Sequence, residues 1–125
     1  MLKQLFELQR EKKMLTIDAL RNYGANVEEG LSRCINNEAL YLRLAGTVPD
    51  EKNFDKLHEA LAANNLDEAF DAAHALKGVL GNLALTPIYD KVAEITELLR
   101  ARTEMDYSEL ESEIQNRREE LRSIM

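Results

Sequence analysis

The sequence predicts an all-α protein, an antiparallel bundle of four long helices with additional helices at the N-terminus. Three observations predict it. Apolar residues recur three and four positions apart, and no stretch of several residues alternates in the period-2 manner of a half-buried strand. Helix-start signals recur in Asn26…Glu29, Asn65…Glu68 and Asp106…Glu109, each a capping side chain three residues before a glutamate. Only two prolines and five glycines interrupt the 125 residues, a length that suits one domain.

Helices are expected near 2–13, 16–22, 27–36, 37–46, 51–63, 66–84, 87–101 and 107–123. The first forms an N-terminal helical extension over 1–15, and Met14-Leu15-Thr16 begins a helical bundle over 16–125. Asn26 opens the third helix, along which Cys34 falls in line with Val27, Leu31 and Ile35, as a small core residue would. Pro49-Asp50 opens the 51–63 helix, striped by Phe54, Leu57 and Leu61. Asn65 opens the next. Thr86-Pro87 reads as an N-cap followed by proline at the first helical position, ahead of Ile88, Val92, Ile95 and Leu99. Asp106 opens the last helix, where Tyr107, Leu110, Ile114, Leu121 and Ile124 form a stripe that Arg117 interrupts. The last four helices are joined by connections of two to five residues, which favours antiparallel neighbours.

Composition excludes several functions. The net charge is −7, which disfavours nucleic acid as a partner. Residues 1–13 carry four basic and two acidic side chains, and a solvated helix end explains them better than a functional basic arm. The single cysteine, Cys34, permits no intrachain disulfide and suits a reducing compartment. The longest uncharged run, Gly78 to Tyr89, is well short of the ~20 apolar residues of a membrane span. The N-terminus does not read as a signal peptide. The expected compartment is the cytoplasm.

The most informative stretch is His74-Ala75-Leu76-Lys77-Gly78. Glycine inside a helix costs roughly 1 kcal/mol against alanine, yet this helix carries Gly78 and Gly81. At about 100° per residue, Leu66, Ala69, Ala72, Ala73, Leu76, Val79, Leu80 and Leu83 fall on an arc almost opposite His74. Phe70, Asp71, Lys77, Gly78, Gly81 and Asn82 lie on the histidine's side. His74 is therefore expected to face solvent or a shallow groove. On spacing alone, an ordinary exposed histidine explains it equally well. The glycines shift the balance, because both would clear side-chain bulk from the approach to the imidazole. A neutral imidazole nitrogen is a competent nucleophile toward phosphoryl groups. Lys77, one turn on, could act as a point charge on a phosphoryl oxygen. No glycine-rich phosphate loop is visible, so the phosphoryl donor is expected from outside.

These residues resemble the signature of histidine-containing phosphotransfer (HPt) domains: His-x-Leu-Lys-Gly, three residues, then Asn or Ser and an apolar residue, here Asn82-Leu83. Ala72-Ala73, the Asn64-Asn65 turn, and Tyr23-Gly24 before paired short helices also fit. The resemblance covers residues 16–101 well and the last helix loosely. It implies a four-helix bundle whose exposed histidine carries a phosphoryl group between receiver-domain aspartates of response regulators, with a hybrid histidine kinase as a further candidate partner. Magnesium and the acid–base groups would belong to the receiver, leaving no cofactor or metal here. By the resemblance, His74 is the phosphoacceptor, Lys77 helps to hold the phosphoryl group, Gly78 gives the partner room, and Asn82 is a supporting polar position, with Phe70 and Gly81 beside it. Two positions depart from the pattern. Ala84 stands where the family usually has glycine. Thr96 stands where some members place a glutamine that hydrogen-bonds the histidine ring.

Two other readings compete. Asp55-x-x-His58 and Asp71-x-x-His74 have the acid-x-x-His form of di-iron bundles, but there the ligands converge inward, and His74 points away from its own apolar stripe. A helical adaptor that has lost phosphotransfer is the second.

Overall fold

The computed structural model describes residues 14–125. The helix expected over 2–13 lies outside the described residues. The described chain holds helices α1 (Ile17–Tyr23), α2 (Val27–Arg33), α3 (Glu38–Thr47), α4 (Asn53–Ala62), α5 (Leu66–Asn82), α6 (Thr86–Arg100) and α7 (Ser108–Ser123), with a 3₁₀ turn, Val48–Asp50, between α3 and α4. It is all-α, and α4 packs on α5, α5 on α6 and α6 on α7. Cross-contacts close the bundle: His58 of α4 meets Glu111 of α7, Nδ1 to Oε2 at 2.6 Å, and Asp55 faces Arg118 at 3.7 Å.

The helix starts follow local chemistry. Asn26 and Asn65 accept backbone N–H bonds from Glu29 and Glu68, which satisfies donors that a helix start leaves unpaired. Thr16 and Asn37 cap α1 and α3 in the same way. Three expected starts differ. Thr86 is already helical and its hydroxyl turns to the Ala84 carbonyl, so only the proline signal survives there. Asp106 accepts from the Ser108 N–H at 2.9 Å rather than from Glu109, and the Ser108 hydroxyl, together with that N–H, holds its carboxyl below the usual range. Pro49 forms the 3₁₀ turn instead of opening α4 directly. Arg118 and Arg122 clamp that turn from α7, donating to the Pro49 carbonyl at 2.7 and 2.9 Å.

Five helices end on a residue of positive φ, four of them not glycine: Ile35, Asn64, Ala84 and Arg102, beside Gly24. At Ala84, the Ala84 N–H donates to the Gly81 carbonyl and the Leu85 N–H to the Leu80 carbonyl, both at 3.1 Å, which is the paired closure that stops a helix at a left-handed residue. Ile35 does the same after α2, donating to the Ser32 carbonyl. It is therefore turned out to solvent at 81% exposure and does not join Val27 and Cys34 in the core. Cys34 itself is buried.

One core joins the N-terminal helices to the bundle. Leu20, Val27 and Tyr41 are buried with Leu76, Leu80, Ile88, Ile95 and Leu121, each large apolar side chain contributing roughly 1.5–3 kcal/mol when removed from water. Tyr41 occupies the space a Gly30 side chain would need: a Cβ there would meet its ring at 2.5 Å. The Tyr41 hydroxyl donates to the Leu83 carbonyl at 2.9 Å, and burial pushes its phenol up to about 12. The Asn26 N–H donates to the Ala84 carbonyl at 2.9 Å. The N-terminal helices thus bond carbonyls just past the end of α5, and fix the helix that carries His74.

Candidate functional site

Helix α5 buries Ala69, Ala72, Ala73, Leu76 and Leu80, the arc expected from the spacing. His74 and Gly78 are exposed on the other side, with Phe70 and Lys77 half-buried. Phe70 is one turn before His74, and the two rings stack with centroids 5.5 Å apart and planes 15° from parallel. A stack uses the ring face. Both imidazole nitrogens lie on the ring edge, so the contact leaves them open to an incoming electrophile.

Phe70 is held in turn. The guanidinium carbons of Arg100 and Arg102 lie 4.9 and 5.5 Å from its ring centroid, within cation–π range. Arg102 pairs with Asp67 at 2.6 Å and donates to the Leu99 carbonyl. Arg100 donates to both carboxylate oxygens of Glu97, at 3.2 and 3.4 Å. The other Glu97 neighbour is Lys77, Nζ to Oε2 at 3.7 Å. Glu97 thus faces two cations, one from α5 and one from α6.

The glycines divide. A Cβ built on Gly78 would meet nothing within 4 Å, whereas one on Gly81 would meet Tyr89 Cε1 at 3.1 Å. Gly78 is open surface. Gly81 is a close approach between α5 and α6, so it does not add clearance for a partner. Asn82 is exposed as the last residue of α5.

Thr96 is fully buried and its hydroxyl donates to the Val92 carbonyl at 2.6 Å. Its hydroxyl proton is spent inside its own helix, while the His74 ring stacks on Phe70. Ala84 is a buried left-handed residue, φ 54°, where glycine carries no Cβ penalty.

The two acid-x-x-His pairs face different neighbours. His58 meets Glu111 and Asp55 meets Arg118, while His74 lies on Phe70. Among the described residues no group of three His, Cys, Asp or Glu side chains is placed to hold a metal ion. Glu97, Arg100 and Arg102 were not singled out from the sequence. Antiparallel pairing about the 83–85 turn carries 97–102 back beside about 66–71, which could have found the arginines near Phe70 but not the longer reach of Glu97 to Lys77.

The sequence model of the Hpt domain family matches residues 51–124. The match takes in α4 through α7, so it includes the last helix, which the motif resemblance covers only loosely, and leaves 16–50 outside, which that resemblance includes. Comparisons with curated proteins and with solved structures find no match.

Proposed function

Because this chain belongs to the Hpt domain family, whose function is histidine phosphotransfer in a phosphorelay, we propose that His74 is its phosphoacceptor. The observation that carries this is the pairing of an exposed, stacked imidazole with the open surface at Gly78, one turn away. A convex receiver loop can approach the ring edge there without meeting a side chain.

In the forward step an imidazole nitrogen attacks the phosphorus of a receiver aspartyl phosphate. The N–P bond forms as the P–O bond to the carboxylate breaks, its electron pair leaves on the carboxylate, and the proton on the other ring nitrogen passes to water. Transfer onward reverses this on a second receiver. Magnesium is the receiver's in this scheme. Lys77 supplies positive charge to the phosphoryl oxygens as they arrive on His74, which favours formation of the phosphohistidine. Phe70 limits rotation of the ring, Gly78 gives the receiver room, and Asn82 borders the docking surface. Receiver domains and a hybrid histidine kinase are the partners of this scheme. Residues 16–125 form its working unit, with 1–15 an extension, and the cytoplasm is its compartment. No described helix is long and apolar enough to cross a membrane.

The test is incubation with a phosphorylated receiver domain, followed by analysis for acid-labile, alkali-stable label. Label is expected on His74 and is abolished by His74→Gln. Label persisting in that variant refutes the assignment.

A further inference from the structure

Lys77 does not wait unpaired for a phosphoryl group. Its ammonium lies 3.7 Å from Glu97 Oε2, and the same carboxylate accepts from Arg100. Arg100 lies against Phe70, which stacks on His74. A resident anion therefore holds both Lys77 and Arg100 before any phosphoryl group arrives.

We propose that Glu97 is a positioning residue that acts through Lys77: it occupies the lysine in the unphosphorylated protein and competes with the phosphoryl group for it afterwards. The inference rests on His74 being the phosphoacceptor. Glu97 is more than half exposed and Lys77 about one-third exposed, with side-chain values of 58% and 30%. Such a pair is worth little in water, so a phosphoryl dianion on His74 can displace the carboxylate. The displaced carboxylate remains nearby, repelling the phosphoryl group and drawing on the same ammonium. Its effect is to keep the phosphohistidine labile, as a carrier requires, rather than to trap it. Arg100, engaged by the same carboxylate, is restrained against Phe70.

The experiment uses potassium phosphoramidate, which needs no receiver. An imidazole nitrogen attacks its phosphorus, the N–P bond to the ring forms, the P–N bond to nitrogen breaks, and ammonia leaves. His58→Gln in every protein confines label to His74. The lifetime of the phosphohistidine is then followed by phosphorus NMR as water attacks phosphorus and the N–P electron pair returns to the ring. Glu97→Gln should lengthen the lifetime about two- to five-fold, the range that an exposed ion pair of under about 1 kcal/mol allows. Glu97→Asp should return it toward the parent value. The Lys77→Ala background should remove the gain, which a merely structural role for Glu97 would not do. An unchanged or shortened lifetime in Glu97→Gln overturns the proposal, as does a gain that persists without Lys77. Failure of receiver transfer to label His74 is a separate result, and it refutes the phosphoacceptor assignment.

Discussion

Helices α4 and α5 each carry an aspartate three residues before an exposed histidine, and they differ in what surrounds it. His58 is tied through Nδ1 to Glu111 of α7. The positions three and four residues on are Leu61 and Ala62, so neither a cation nor open backbone follows. His74 is held by its face against Phe70, and Lys77 and Gly78 follow at those spacings. Exposure is common to both histidines. In the proposed scheme His74 is set apart by an open ring edge, a cation one turn away and absent side-chain bulk.

The largest expected effect comes from closing the open surface. Gly78→Leu should lower transfer from a receiver by about 10–100-fold, since small misplacements of reacting groups cost on that order. Its thermal midpoint should not fall, because the new side chain enters open space and leaves the poorest helix former but proline. Unchanged transfer in that variant would break the contrast with α4. Next, Lys77→Ala should slow transfer about tenfold with the fold intact. That is below the 10²–10³-fold of a buried oxyanion donor, because Lys77 stays partly in water. Transfer kinetics equal to the parent's would remove its role.

The helix ends offer a smaller test. Helix α4 stops on Asn64 and α5 on Ala84, at φ 55° and 54°. Asparagine tolerates the left-handed region, whereas alanine suffers a Cβ clash of roughly 1–2 kcal/mol. Ala84→Gly should gain up to about 1 kcal/mol in denaturant unfolding, the remainder lost to the more flexible unfolded chain. Asn64→Gly should gain little. Equal gains would show that backbone strain does not separate the two ends. The smallest effect belongs to His58→Gln, which should keep receiver transfer within about twofold and lose at most about 1 kcal/mol of stability with the Glu111 pair. A tenfold loss of transfer would give α4 a part in the reaction that its geometry does not support.

Much of this molecule was legible in its sequence where the cause is local. The 3.6-residue period placed His74 opposite the buried arc, because side-chain direction along a helix follows from spacing alone. Asn26 and Asn65 announced their helix starts, since a cap is a contact three residues long. The same locality misled at Thr86 and Ile35. A threonine before proline can be helical itself, and a left-handed stop after Arg33 rotates Ile35 out of the apolar line.

What the sequence by itself determined is the all-α class, the exposed histidine and the motif around it. Only the tertiary structure decided the company that histidine keeps. Phe70 is one turn away, but the arginines against it arrive from α6 and the turn after it. Glu97 reaches Lys77 only when α5 and α6 pack antiparallel. Gly81 meets Tyr89 for the same reason, and Thr96 is buried by it. The Tyr41 and Asn26 bonds to Leu83 and Ala84 join segments far apart in the chain. Such contacts depend on how helices pack, and packing is set by the fit of whole apolar faces rather than by any short pattern of residues.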